Sequence, residues 1–202
     1  MMKNRKRARR EPKQEAKKVF KKFMCCILAF QTRPGGCEFA MGRKNIYLLL
    51  GSNLGDRPAN LASAREAIRA AAGPILNTSA VYRTEAWGKT GQPEFLNQVV
   101  EVETDLDPEA LLETLMDIER QMGRERSERW APRTIDLDIL YYGQDVVQTA
   151  RLMLPHPGIP DRRFTLVPLA EIAPDFVHPQ YGKTNQQLLR ACYDLLTVRE
   201  YY

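Results

Sequence analysis

The stretch from Thr134 to Leu140 alternates between apolar and acidic side chains, and this alternation constrains the fold more than any other feature of the chain. Its apolar positions are Ile135, Leu137 and Ile139, and its acidic positions are Asp136 and Asp138. A period of two is typical of a β-strand that is buried on one face. At about 3.3 Å rise per residue, the two aspartate Cα atoms lie about 6.6 Å apart. The stretch therefore predicts a strand that presents two carboxylates side by side.

Two carboxylates at this spacing repel each other, so either one is protonated or a cation lies between them. An arginine-rich run before the strand favours the cation, because arginines suit a polyanion that already carries metal. These arginines are Arg124, Arg126, Arg129 and Arg133. Trp130 and Pro132 lie in the same run, where a solvated loop needs neither. A solvated strand face behind a surface turn is the alternative, but the combination favours a nucleotide triphosphate site.

The positive charge of the chain is concentrated at its N-terminus. The 202 residues carry a net charge of +5, whereas residues 1–41 alone hold 12 Lys and Arg against 3 Glu. That segment is therefore +9, and the difference between +5 and +9 leaves −4 for the remainder. We expect residues 1–41 to form a basic, disordered extension and residues 42–202 to form one domain. The basic pI belongs to the extension and gives no reason to expect nucleic acid as a partner.

Three explanations of the extension stay open, namely a basic arm for an anionic partner, a targeting peptide, and an upstream extension of the reading frame. The last is favoured because Met41 lies just ahead of the first strand. The apolar residues 23–30 are too few to span a membrane, and no small-residue cleavage site follows them. The four cysteines show no metal-ligand spacing. They indicate a reducing compartment, and we expect a cytoplasmic protein without a membrane partner.

The order of the expected elements predicts the fold class. Apolar runs, caps and glycine stops indicate strand, helix, strand, strand, helix and strand over residues 45–50, 57–72, 75–84, 94–104, 108–122 and 134–140. Asp56 and Asp107 are the expected helix caps. This βαββαβ order predicts an α+β, ferredoxin-like core, an antiparallel sheet with helices on one face. Strand and helix additions follow at the C-terminus, including a short helix over residues 185–196.

Several residues are candidates for ligand contacts on spacing alone. Gly88-Lys89-Thr90 is not a P-loop, because Arg83 stands where the first glycine is required, so ATP would bind without one. Phe95 and Asn97 share a strand face and would offer an aromatic ring and an amide to a heterocycle, although an ordinary exposed Asn is about as probable on spacing. His156 lies between two prolines, which is usually structural, but with Arg162 nearby it becomes a candidate phosphate contact.

Residues 129–140, Arg-Trp-Ala-Pro-Arg-Thr-Ile-Asp-Leu-Asp-Ile-Leu, resemble the signature of the 6-hydroxymethyl-7,8-dihydropterin pyrophosphokinase family. Ala131 stands where the family more often has Gly. Residues 50–57 resemble its opening motif, residues 92–97 its pterin-contact segment, and residues 155–164 its third binding segment. Residues 85–87, Glu-Ala-Trp, differ from a proline-containing version of this loop that occurs in the family. The resemblance covers nearly all of the expected domain.

The resemblance implies an enzyme that transfers pyrophosphate from MgATP to the hydroxymethyl group of a reduced pterin in folate biosynthesis and releases AMP. We expect a monomer, although the sequence does not specify the oligomeric state. Asp136 and Asp138 would hold two Mg²⁺ ions, and Arg124 and Arg133 would be catalytic. The implied ATP contacts are Glu119, Arg126, Arg129, His156 and Arg162. The implied pterin contacts are Thr84, Trp87, Phe95, Asn97, Trp130 and Phe164, with Trp130 and Phe164 clamping the two ring faces.

Two other classes of protein share parts of this pattern. A nucleotidyltransferase also pairs a Gly-Ser turn with Asp-x-Asp, but Gly51-Ser52 lies far upstream of Asp136. A ferredoxin-like RNA-binding module needs aromatic residues in a basic strand, whereas residues 99–103 carry two glutamates. The general base stays open, since Asp136 or solvent could serve.

Overall fold

The computed structural model describes residues 45–86, 91–124 and 133–202, which form eight strands and four helices. The strands are β1 (Ile46–Ser52), β2 (Ile75–Thr78), β3 (Tyr82–Thr84), β4 (Phe95–Val102), β5 (Asp136–Tyr142), β6 (Val147–Gln148), β7 (Met153–Leu154) and β8 (Val198–Glu200). The helices are α1 (Arg57–Ala71), α2 (Pro108–Gln121), α3 (Arg163–Ile172) and α4 (Asn185–Ala191). The expected extension over residues 1–41 lies outside the described residues.

Strand β1 is the centre of the main sheet. It pairs antiparallel with β4 on one side and with β5 on the other, and the strand order is β5-β1-β4-β3-β8. Strand β2 also pairs with β4, while β6 and β7 form a separate two-stranded sheet. All seven residues of β1 are buried, because layers of helix cover both faces of the sheet. This double burial explains why the sequence of β1 is a continuous apolar run.

Helices α1 and α2 begin at the caps expected from the sequence. The side chain of Asp56 accepts a hydrogen bond from the Ala59 N–H at 3.1 Å, and that of Asp107 accepts one from the Ala110 N–H at 2.8 Å. The buried positions of α1 include Leu61, Ala64 and Ile68, and those of α2 include Leu111, Leu115 and Ile118. The expected βαββαβ core with its antiparallel sheet is therefore confirmed, and we describe it as ferredoxin-like.

The strand expected over residues 75–84 is wrong as one element, because the chain breaks into β2 and β3 around Ser79. The Ser79 hydroxyl accepts the Val99 N–H at 3.0 Å, and the Ser79 N–H donates to the Val99 carbonyl at 2.9 Å. A side-chain oxygen thus takes the place of a backbone acceptor, as serine often does at irregular positions. Both halves still pair with β4, so the break changes the local path and leaves the sheet order unchanged.

The C-terminal helices cover the face of the sheet that α1 and α2 leave open. Tyr47, Leu49, Val99 and Tyr141 pack with buried residues of α3 and α4, among them Leu166, Leu169 and Leu188. Helix α4 ends at Ala191, five residues before the expected end, and the chain continues to β8. Within the described residues, no helix combines the length and the apolar character that a membrane span requires.

A bulge divides β5 into two parts. In the register with β1, Asp136 lies opposite Gly51 and Asp138 opposite Leu49, but the next pairs shift so that Tyr141 lies opposite Tyr47. One residue is inserted between the aspartate pair and Tyr141, and this places all three on the same face of the sheet. The aspartates therefore share a face with the core residues beneath α3.

Candidate active site

A cleft of about 650 Å³, measured with its open mouth, lies on the sheet face that carries the two aspartates. Gly51 of β1 is paired with Asn97 of β4 and with Asp136 of β5, while Thr84 of β3 is paired with Phe95 of β4. Directly paired residues of antiparallel strands point to the same face, so four neighbouring strands contribute to one surface. The cleft is lined by Leu49, Gly51, Thr84, Glu85, Gln92, Phe95, Asn97, Arg133, Asp136, Asp138, Arg162 and Phe164.

Gly51 forms the floor of this cleft. A Cβ atom at this position would lie 2.9 Å from Oδ1 of Asn97, 3.8 Å from the Phe95 ring and 3.9 Å from Cβ of Asp136. Gly51 lies within β1, where the need for glycine is a close approach of side chains and not an unusual φ. Its missing side chain lets the amide and the carboxylate lie next to each other.

Asn97 is a buried amide with one fixed partner. Its side chain is 3% exposed, and Nδ2 donates a hydrogen bond to Oγ1 of Thr84 at 2.7 Å. Phe95 lies two residues away on the same strand face. A buried amide beside an aromatic ring can recognise the polar edge of a flat heterocycle while the ring covers its face. The expected pairing of Phe95 and Asn97 on one face is therefore confirmed.

Asp136 and Asp138 form an acidic pair that two arginines partly neutralise. Nη1 of Arg124 lies 2.7 Å from Oδ1 of Asp136, and Nη1 of Arg133 lies 2.7 Å from Oδ2. Burial and the neighbouring Asp136 carboxylate raise the pKa of Asp138 to about 7. A cation between the two carboxylates would relieve this repulsion. Among the residues that the structure describes, no cluster of three metal-binding side chains occurs, so two carboxylates are what this face offers a metal.

That donor set fits magnesium. Mg²⁺ is usually held by one or two protein carboxylates, with water and substrate phosphates completing its coordination. Asp136 and Asp138 both line the open cleft, which leaves room for such outside ligands.

Glu119 lies behind the aspartate strand. Its carboxylate accepts the N–H of Leu137, the residue between the two aspartates, at 2.8 Å, and it pairs with Arg124. Glu119 is 4% exposed, and burial raises its pKa although the Arg124 guanidinium opposes this shift. The geometry links the end of α2 to β5 and to Arg124. A direct contact of Glu119 with ATP stays a prediction.

His156 is held as a neutral hydrogen-bond donor. Its Nδ1 accepts the Gly158 N–H at 3.0 Å, so the ring proton belongs on Nε2. Burial, followed by the Arg162 guanidinium, lowers the pKa of His156 to about 4. A Cβ atom on Gly158 would lie 2.6 Å from Nε of Arg162, so this guanidinium packs closely over the Gly158 backbone. His156, Gly158 and Arg162 therefore form one packed unit.

Comparison with known proteins identifies the family. The model of the family described as 7,8-dihydro-6-hydroxymethylpterin-pyrophosphokinase (HPPK) matches residues 47–174, which is more than half of the chain. The chain belongs to this family. A 2-amino-4-hydroxy-6-hydroxymethyldihydropteridine pyrophosphokinase from Methylorubrum extorquens is 51% identical over 132 residues, covering 65% of this chain and 84% of that protein. The one from Synechocystis is 45% identical over 141 residues, covering 69% and 72%.

Comparison with solved structures supports the fold assignment. A crystal structure of Plasmodium falciparum HPPK-DHPS with pterin and p-hydroxybenzoate has a TM-score of 0.60 at 17% identity. The match covers 74% of this chain and 42% of that one, so the chain spans less than half of the longer protein. At this identity the likeness shows the fold alone, and it supports an HPPK fold for the described domain.

The cleft brings together residues from each group that the HPPK resemblance implied. The implied pterin contacts that line it are Thr84, Phe95, Asn97 and Phe164. The implied metal and phosphate contacts that line it are Arg133, Asp136, Asp138 and Arg162. Arg124 contacts Asp136 from the end of α2, and His156 lies close enough to Asp136 and Arg162 for both to affect its pKa. Trp87, Arg126, Arg129 and Trp130 lie outside the described residues, so their roles stay predictions, as does the two-sided aromatic clamp.

Asn53 was not recognised from the sequence. Its side chain is 2% exposed, its Oδ1 accepts the Arg133 N–H at 2.7 Å, and its backbone N–H donates to the Arg133 carbonyl at 3.2 Å. Nδ2 also donates to Oε1 of Gln92 at 3.4 Å. Asn53 thus holds Arg133 where the chain enters β5. The available signal is its place in residues 50–57, the segment that resembles the family's opening motif.

Proposed function

We propose that this chain transfers pyrophosphate from MgATP to the hydroxymethyl group of 6-hydroxymethyl-7,8-dihydropterin and releases AMP. The observation that carries the proposal is the shared strand face, where the amide and aromatic residues around Asn97 adjoin the carboxylates at Asp136 and Asp138. The first group suits the pterin ring and the second suits a metal-bound triphosphate. Their adjacency would place the hydroxymethyl group beside the phosphates.

Magnesium accompanies ATP in this family's reaction, and we propose that Asp136 and Asp138 hold two ions. When bound, the ions neutralise charge on the triphosphate and orient its oxygens. Arg124 and Arg133 already reach the same carboxylate, and a bound cation would weaken their attraction to Asp136. Their guanidinium groups would then be available to stabilise charge that develops on the phosphoryl oxygens.

The remaining cleft residues bind and orient the substrates. Thr84, Phe95, Asn97 and Phe164 would hold the pterin, with Trp87 and Trp130 as further predicted contacts. Arg162 and the Nε2–H of His156 would donate hydrogen bonds to the triphosphate, and the lowered pKa keeps His156 a neutral donor at physiological pH. Glu119, Arg126 and Arg129 complete the proposed ATP contacts.

The products of the reaction test this proposal. Incubation with MgATP and 6-hydroxymethyl-7,8-dihydropterin should give AMP and a pterin diphosphate in equal amounts, measured by anion-exchange chromatography. ADP would indicate an ordinary kinase, and released pyrophosphate would indicate a nucleotidyltransferase. A reaction without pterin is the control, because AMP formed at the same rate there would come from hydrolysis.

Replacement of Gly51 by alanine tests the pterin subsite. The added Cβ would lie 2.9 Å from Oδ1 of Asn97, so the amide must move while it stays bonded to Thr84. The displaced amide would lose one of its proposed hydrogen bonds to the pterin, which is worth about 1 kcal/mol. This loss should raise the KM for pterin by about five- to tenfold. Steady-state kinetics with varied pterin measure the change.

Gly158→Ala is the matched control for Gly51→Ala, because its Cβ would meet the Arg162 guanidinium and not Asn97. It should raise the KM for MgATP more than the KM for pterin. A pterin KM that stays unchanged in Gly51→Ala would contradict the placement of the ring against Asn97.

We also propose that the enzyme is a cytoplasmic monomer that needs neither nucleic acid nor a membrane. Cys192, in the described part, is a free thiol, as is usual in a reducing compartment.

A further inference from the structure

Helix α3 begins at the cleft but has no cap of its own. Arg162 is its N-cap residue and Phe164 lies in its first turn, and both line the cleft. The side chain of Arg162 makes no capping hydrogen bond, and the first turn carries no acidic residue. The first N–H groups of a helix have no partners within the helix, so the start of α3 needs an acceptor from elsewhere.

Asp194 supplies this acceptor from 31 residues away along the chain. Its Oδ2 accepts the Arg163 N–H at 2.9 Å, and its Oδ1 accepts the Leu196 N–H at 3.0 Å. One carboxylate therefore joins the first turn of α3 to the segment that follows α4. A negative charge at this end also interacts favourably with the helix dipole.

The same segment is also fixed to β3, which contributes Thr84 to another wall of the cleft. We name residues 192–202 the C-terminal strap. Its strand β8 pairs with β3 so that Val198 lies opposite Thr84, and the Tyr201 N–H donates to the Val81 carbonyl at 2.8 Å. Thr84 is the partner of Asn97 within the cleft. Asp194 and Val198 are four residues apart, so a short piece of chain connects the two walls.

We propose that Asp194 is a positioning residue for the pterin subsite, and that the strap sets the separation between Phe164 on α3 and Thr84 on β3. This inference rests on the proposed function, because it assigns the space between these walls to the pterin ring. The family match ends at residue 174, so the strap lies beyond the region that the family model covers. Cys192, partly buried against the core beneath α3, anchors its beginning.

The test compares Asp194→Ala with Asp194→Asn in the full-length protein. The alanine variant removes both acceptors, whereas asparagine keeps a capping oxygen without the charge. Asp194→Ala should raise the pterin KM by about tenfold with kcat changed by less than about threefold, as expected when binding alone is lost. Asp194→Asn keeps only one of the two acceptors, so its pterin KM should lie between those of the wild type and Asp194→Ala. Asp175→Ala, an exposed loop aspartate beyond the other end of α3, is the matched control and should behave like the wild type.

The outcomes separate positioning from simple stabilisation. A folded Asp194→Ala enzyme with an unchanged pterin KM would overturn the inference, whatever its melting temperature. If Asp194→Ala does not fold, the pterin KM of Asp194→Glu is measured instead, since glutamate keeps the charge and moves the two acceptor oxygens by one methylene. The inference then requires that Asp194→Glu raise the pterin KM by about threefold or more. An unchanged pterin KM in this variant would overturn the inference. If the wild-type protein neither binds nor turns over the pterin, the proposed function itself fails and this inference fails with it.

Discussion

Replacement of Asp138 by asparagine should lower kcat by about 10³-fold, because metal-assisted charge stabilisation contributes several kcal/mol and about 1.4 kcal/mol corresponds to a tenfold change in rate. Asparagine keeps the shape of the side chain but removes one of the two charges that hold the cation. The wild-type pair is already under electrostatic strain, since burial and the Asp136 carboxylate raise the pKa of Asp138 to about 7. Removal of one like charge should therefore leave the metal-free fold intact.

Two measurements are needed for Asp138→Asn. Pre-steady-state or steady-state AMP formation gives the rate, and thermal unfolding without magnesium gives the stability. Asp105→Asn is the matched control, because Asp105 is exposed just beyond the end of β4 that is remote from the cleft. Near-normal turnover of Asp138→Asn at saturating magnesium would show that Asp138 is not a metal ligand.

Replacement of Arg124 by alanine should lower kcat by about 10²- to 10³-fold, the usual cost of removing a group that stabilises charge in a transition state. Its guanidinium, 18% exposed, lies 2.7 Å from Oδ1 of Asp136 and also pairs with Glu119. These contacts hold it beside β5 before the substrates arrive. Because it interacts mainly with developing charge, the affinity for MgATP without pterin should change by less than about fivefold.

Arg120→Ala is the control for Arg124→Ala. Arg120 lies one turn earlier near the end of α2, and it pairs on the surface with Asp117. Its removal should leave both kcat and MgATP affinity unchanged. Isothermal titration with MgATP and a kcat measurement on each variant complete the experiment. Losses of equal size in kcat and in MgATP affinity would mean that Arg124 binds the ground state as strongly as the transition state.

The sequence was most informative where local rules decide the structure. The alternation around Asp136 and Asp138 predicts their common face, and the caps at Asp56 and Asp107 predict two helix starts. These features depend on neighbours within four residues, where the periods of strands and helices and the chemistry of capping are sufficient. Side chains along β4 alternate between its faces by the same rule, which explains why the sequence predicts a common face for Phe95 and Asn97.

The same local rules do not predict contacts between residues that are distant in the sequence. Asn53 holds Arg133 across 80 residues of sequence, and Asp194 caps α3 across 31. Gly51 is indistinguishable from a turn glycine until the Asn97 side chain is seen against it. The break at Ser79 arises because its hydroxyl reaches the Val99 N–H on another strand. Each of these depends on which elements pack together, and local pattern does not specify that.

The bulge in β5 also restricts how the gene of such a protein can vary in length. Side chains alternate between faces along a strand, so the loss of one codon between Asp138 and Tyr141 would reverse one of the two parts. Either the acidic pair would point under α1 and α2, or the Tyr141 ring would leave the core beneath α3. We therefore expect insertions and deletions to be excluded from this short segment among functional descendants. Variation in length should accumulate instead in surface loops such as the one between β5 and β6, where no such alternation must be preserved.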